Sequence, residues 1–137
     1  MNAAPSLRPT LTSILVVEDF RLLRLSVVEW LKCRFPGCAV HGVETGEEAL
    51  KHALAFPTDV VLMDINLPGI NGLETTSRMK AQAPETAVVI LSTHDTPYHR
   101  LAAKNAGAAA YIAKHDMETQ LESTVERVLD SRRRKPS

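Results

Sequence analysis

Five short apolar runs, each followed by a stretch with helical spacing, constrain this chain more than any other feature. The runs cover residues 13–17, 39–43, 60–63, 87–91 and 109–112. They are too short for buried helices, and most are rich in Val, Ile and Leu, so they read as strands. Between them the period changes. Leu23, Val27, Trp30 and Leu31 share one helical face, which Pro36-Gly37 ends. Thr45 and Glu48 form a capping box ahead of Ala49, Leu50, Ala53 and Leu54. A third helix is expected over about residues 72–83, and a fourth from Pro97 to about residue 106 with Thr96 as N-cap. Asp116 is expected to cap a last helix with the stripe Met117, Leu121, Val125 and Val128. Strands alternating with helices predict an α/β fold. It is a doubly wound, five-stranded parallel sheet with right-handed crossovers and helices on both faces.

A chain of 137 residues, 45% hydrophobic, fits one domain with a sizeable core. The expected domain is 13–130, after a loose lead-in at 1–12 that carries Pro5 and Pro9. Residues 131–137, SRRRKPS, read as a frayed, solvated basic tail or the start of a linker. Sixteen basic and sixteen acidic residues cancel, which removes the electrostatic case for nucleic-acid binding by the domain itself. No apolar run approaches the ~18 residues of a membrane span, and the N-terminus lacks the apolar core of a secretory signal. Cys33 and Cys38 have neither zinc-site spacing nor the numbers of a disulfide framework. A cytoplasmic protein with reduced thiols is expected.

In a doubly wound sheet the site lies at the carboxyl ends of the strands, where the strand order switches. Polar residues stand at or just past those ends: Glu18-Asp19 after the first strand, Asp64 after the third, Ser92-Thr93 after the fourth and Lys114 after the fifth. Each alone has an ordinary explanation, as a helix cap, a loop hydroxyl or a solvated lysine. Together they predict three carboxylates, a hydroxyl and an ammonium in one pocket. Three carboxylates repel unless compensated. A divalent cation and Lys114 supply the balance, and an all-oxygen ligand set favours Mg²⁺. Such a pocket suits phosphoryl transfer with Asp64, on the central strand, as nucleophile. Gly69 and Gly72 let the loop behind Asp64 turn tightly.

Four segments then resemble the receiver domain of bacterial two-component response regulators. They are the acidic pair Glu18-Asp19, the block VVLMDINLPGING, ILST at residues 90–93, and GAAAYIAK at residues 107–114. The resemblance spans about residues 13–129. It implies a flavodoxin-like (βα)5 fold in which Asp64 accepts a phosphoryl group from the phosphohistidine of a sensor histidine kinase. It further implies Mg²⁺ held by Asp19, Asp64 and the backbone carbonyl of Asn66, with Glu18 acting through water. Lys114 would pair with a phosphoryl oxygen. Ser92 is the implied switch hydroxyl and Tyr111 the switch aromatic, which swings inward as Ser92 moves. Output would pass through the fourth helix, fifth strand and fifth helix to an output domain or a partner protein, possible homodimerisation included. Any DNA contact would be made by that output domain.

The sequence departs from the family at three places. His115 stands where a proline in a cis peptide is common, a departure shared with NarL/FixJ-type regulators. Glu18 replaces a common Asp, and Thr93 is bulkier than the frequent Ala and would narrow phosphoryl access. His94, two residues after Ser92, reads as an exposed loop histidine, or as one that tunes loss of the phosphoryl group. Lys114 is expected to act on the phosphorylated state rather than on the fold. An FMN-binding protein on a similar sheet is disfavoured, because EDFRLL after the first strand is acidic where phosphate must bind. An aspartyl phosphatase would want an acid where Asn66 stands. A pseudo-receiver used only for binding is disfavoured by the intact acceptor set. A single-domain regulator acting by protein contact stays open beside a receiver joined to an output domain.

Overall fold

The computed structural model describes residues 12–134. Five strands form one parallel sheet: β1 (Thr12–Val17), β2 (Cys38–Val43), β3 (Val60–Asp64), β4 (Ala87–Ser92) and β5 (Ala110–Ala113). Their spatial order is β2-β1-β3-β4-β5. The chain winds outward one way to β2, then returns past β1 to β3. The switch in strand order therefore falls between β1 and β3, whose carboxyl ends sit side by side with Val17 opposite Met63. Five helices cross between the strands or follow them: α1 (Arg21–Arg34), α2 (Gly46–Ala55), α3 (Gly72–Gln82), α4 (Pro97–Ala106) and α5 (Met117–Arg134).

Alternation along the strands divides the core into two layers. Ile14, Val16, Val60, Leu62, Val89, Leu91 and Ile112 face Val27, Val28 and Leu31 of α1 and Leu121, Val125 and Val128 of α5. Leu15, Val17, Val61, Met63, Val88 and Ile90 face Ala49 of α2, Met79 of α3 and Ala103 of α4. Both faces of β3 are covered, and all five of its residues are buried. That explains its unbroken apolar run. Trp30 packs half-buried against the first layer, with the Arg34 guanidinium 5.6 Å from its ring.

The expected helix starts are present at α2 and α4. Thr45 and Glu48 make a reciprocal capping box. Thr96 Oγ1 accepts from the His99 amide at 3.1 Å, with Pro97 at the first helical position. The start of α5 differs. A 3-10 turn over Lys114–Asp116 runs straight into it, and the Asp116 carboxylate faces His115 Nε2 at 3.4 Å. The C-terminal segment differs too. Residues 131–134, expected to fray, are the last turn of α5, and Arg132 Nη2 pairs with Asp59 Oδ1 at 3.1 Å. Asp59 Oδ2 also accepts from the Ser13 amide at 2.8 Å, so one carboxylate ties α5 to the amino-terminal edge of the sheet. Residues 1–11 and 135–137 of the expected lead-in and tail lie outside the described residues, whereas Thr12 opens β1. Among the described residues every peptide bond is trans, that before His115 included.

Candidate functional site

Register delivers the polar residues to one edge. Asp64 is the last residue of β3, opposite Leu91, and Ser92 follows on β4 opposite Ala113. Glu18 and Asp19 continue directly from β1, and Lys114 directly from β5. Carboxylate oxygens of Glu18, Asp19 and Asp64 lie within 4.8 Å of one another. Asp64 and Glu18 are only 5% and 4% exposed, so the two charges have little water to screen them, whereas Asp19 is exposed. Lys114 Nζ bridges the buried pair, 2.8 Å from Glu18 Oε1 and 3.4 Å from Asp64 Oδ1.

One lysine does not balance three carboxylates. Burial, reinforced by the neighbouring Glu18 charge, pushes the Asp64 carboxyl up to about 6. Lys114 and the Asn66 amide, which hydrogen-bonds the Asp64 carboxylate, pull the other way without overcoming it. A raised pKa beside a second buried acid points to a charge deficit that a hard cation would relieve. The ligands on offer are all oxygen, and one of the three acids faces solvent, so the residues fit a small divalent cation.

The acidic pair is not consumed in capping α1. That helix begins after Phe20 with no side-chain cap. Glu18 Oε2 instead accepts from the Phe20 amide at 3.1 Å, which orients the carboxylate, and Arg24 Nη1 donates to the Glu18 carbonyl at 2.8 Å. Behind Asp64 the loop closes as its glycines require. Gly69 has φ +76°, and a Cβ on Gly72 would run into the Asp64 carbonyl oxygen. Asn71 then caps α3 by accepting from the Glu74 amide at 2.9 Å. The sequence reading missed this cap, although Asn three residues before a Glu is a recognisable signal.

The other expected residues gather around the same edge. Ser92 is fully buried, and its Oγ accepts from the His94 amide at 3.0 Å. Thr93 between them is exposed. Asn66 is exposed, and its Nδ2 donates to His94 Nε2 at 3.2 Å. The His94 ring also stacks on His99, with centroids 4.4 Å apart. His94 is therefore half-buried and engaged on both sides, not a loose loop histidine. Tyr111 is half-buried, and its hydroxyl donates to the His94 carbonyl at 2.6 Å. Lys114 is wedged between two buried acids, as an ammonium expected at this edge would be. Arg100, which reaches both Asp95 and Tyr111, was not singled out from sequence because an arginine on an exposed helix carries no local signal.

This arrangement coincides with a match between residues 14–126 and the model of the response regulator receiver domain. The chain belongs to that family. It is 34% identical over 116 residues to the transcriptional activator protein ExaE of Pseudomonas putida, covering 85% of this chain and 54% of the relative. It is 38% identical over 102 residues to the response regulator GacA of Pseudomonas syringae pv. syringae, covering 74% and 47%. A LuxR-family DNA-binding response regulator from Staphylococcus aureus has a similar structure, with TM-score 0.79 and 27% identity over 86% of this chain and 98% of the other. The chain spans about half the length of the curated relatives it matches. It is a receiver domain of the two-component type, on the flavodoxin-like fold. Among the described residues no helix is long and apolar enough to cross a membrane.

Proposed function

We propose that this receiver domain works as a phospho-acceptor switch with Asp64 as the sole acceptor. The convergence of Asp64, Glu18, Asp19, Lys114 and Ser92 on one sheet edge carries this reading. One Asp64 carboxylate oxygen attacks the phosphorus of a kinase phosphohistidine. The P–O bond forms as the P–N bond breaks, and the released imidazole takes its proton from water. Lys114, already 3.4 Å from Asp64 Oδ1, needs little movement to pair with a phosphoryl oxygen. Ser92 Oγ accepts from the His94 amide, so its own proton is available for another phosphoryl oxygen. Asp19, Asp64 and the Asn66 carbonyl, with Glu18 through water, would hold Mg²⁺. The ion would neutralise charge on the transferring group.

The receiver unit, expected over 13–130, is taken to run from Thr12 at the start of β1 to Arg134 at the end of α5, because Arg132 in the last turn pairs with Asp59. Its output passes through α4, β5 and α5, with Tyr111 as the moving aromatic, to an output domain or partner protein, through which any DNA is reached. A sensor histidine kinase or phosphotransfer protein is the donor, a homodimer is one form of the output, and the cytoplasm is the compartment. His94 is placed to influence loss of the phosphoryl group, because it contacts Asn66 beside the acceptor.

Incubation with a small phosphodonor and Mg²⁺ should add one phosphoryl group, lost on base or hydroxylamine treatment as an acyl phosphate must be. Asp64→Asn should abolish the addition. Wild-type labelling of that variant at a serine or threonine would sink the reading.

A further inference from the structure

Arg100, in the first half of α4, makes two contacts at once. Its Nε donates to Asp95 Oδ1 at 2.7 Å, in the loop between β4 and α4. Its guanidinium carbon lies 4.7 Å from the centroid of the Tyr111 ring on β5. The Tyr111 hydroxyl donates in turn to the carbonyl of His94, the residue before Asp95. The three contacts close a circuit from loop to helix, helix to strand, and strand back to loop. A guanidinium suits the task, because it can lay its face on an aromatic ring while its edge donates to a carboxylate. Side-chain ligand atoms of Asp95, His115 and Asp116 lie within 4.8 Å of one another. Asp116 thus adds negative charge beside the carboxylate that holds Arg100.

We propose that Arg100 is a positioning residue that holds Tyr111 inward against the Ser92–His94 segment before any phosphoryl group arrives. The loop after β4, the start of α4 and the middle of β5 are then fastened as one unit. The output face rests toward the inward-tyrosine arrangement, and phosphorylation has less left to move. This regulatory meaning rests on the receiver reading. A cation over a partly exposed ring shifts a two-state balance by roughly two- to fivefold. That sets a resting population without locking it, so a phosphoryl group at Asp64 can still dominate.

The test follows the Tyr111 ring by fluorine NMR in fluorotyrosine-labelled chain. Tyr98→Phe removes the other tyrosine from the background. Inward and outward populations are read from quenching by a soluble paramagnetic agent. Without phosphodonor, Arg100→Ala should lower the inward-to-outward ratio about two- to fivefold. Arg100→Lys should restore part of it, since an ammonium can still cover the ring, and the melting temperature should stay near that of the parent. With phosphodonor and Mg²⁺, the inward signal of the Ala variant should recover. An unchanged Tyr111 signal in Arg100→Ala overturns the proposal. So does an equal loss in the Ala and Lys variants accompanied by a lower melting temperature. The first measurement contains no phosphodonor, and Asp64 labelling is scored separately by mass. Failure of the acceptor reading is therefore distinguishable from failure of this one.

Discussion

Asp64 is a carboxyl whose burial and whose neighbour Glu18 hold its proton up to about pH 6, against 3.8 for the free group. A raised folded-state value means that the folded chain binds this proton more tightly than the unfolded chain. Without metal, the contribution of Asp64 to stability is therefore greatest below pH 4. It falls as pH rises from about 4 through about 6, and is flat above. A shift of about two units corresponds to on the order of 2–3 kcal/mol. Asp64→Asn should recover much of that at pH 8 in chelator, and calorimetry should show a gain at pH 8 about twice that at pH 5, where roughly half of the penalty has developed. Lys114 works in the opposite sense. Lys114→Ala strands Glu18 and Asp64 together, and breaking such a buried pair costs roughly 3 kcal/mol. The loss should shrink below pH 6 as Asp64 takes up its proton. Urea melts showing no loss at pH 8 would contradict the buried bridge.

At the scale of elements, the unevenness of α3 shows what the sequence could and could not reveal. Its buried positions are Gly72, Thr75, Thr76 and Met79, a helical period in which only one residue is a large apolar side chain. The threonines are buried because their hydroxyls are satisfied locally, Thr75 by the Asn71 carbonyl and Thr76 by the Gly72 carbonyl, both at 2.7 Å. A hydropathy pattern cannot see that, so the helix was expected from its place between strands rather than from a stripe. Met79 is then the one fully buried large apolar side chain of α3, with Leu73 packed half-buried against the same layer. Met79→Ala should cost about 2–5 kcal/mol, measured by chemical denaturation, a larger loss than Thr45→Ala at the α2 cap, about 0.5–2 kcal/mol. The strands were legible to within about a residue, most clearly β1, β3 and β4, where burial on both faces writes an unbroken apolar run. The same rule exposed Asp64, Ser92 and Lys114, which are polar groups where such runs stop. The Asp59–Arg132 tie and the Arg100 contacts were not legible. Each joins residues far apart in sequence or across elements, and no local spacing encodes them.

For the whole molecule, the same charge deficit links cation binding to global stability. The three acids come from β1 and β3, adjacent in the folded sheet and more than forty residues apart in the chain. Their oxygens converge only when the sheet forms, so the unfolded chain offers no comparable site. A cation that binds the folded state alone stabilises it by RT ln(1 + [L]/Kd), about 1.4 kcal/mol at ten times Kd. For a domain of this size that is a rise of roughly 3–7 °C in melting temperature. The rise should be larger at pH 8 than at pH 5, because a protonated Asp64 must lose its proton before it can act as a ligand. In excess Mg²⁺ the pH 8 penalty on Asp64 should therefore diminish, and the profiles with and without metal should converge toward acid. Asp19→Ala leaves the buried Glu18–Lys114–Asp64 arrangement in place while removing the exposed ligand. It should keep the metal-free pH profile and lose most of the Mg²⁺-dependent rise. Thermal melts of the two proteins at both pH values, in chelator and in millimolar Mg²⁺, separate these effects. An Asp19→Ala chain that still gains the full shift would move the cation out of this pocket.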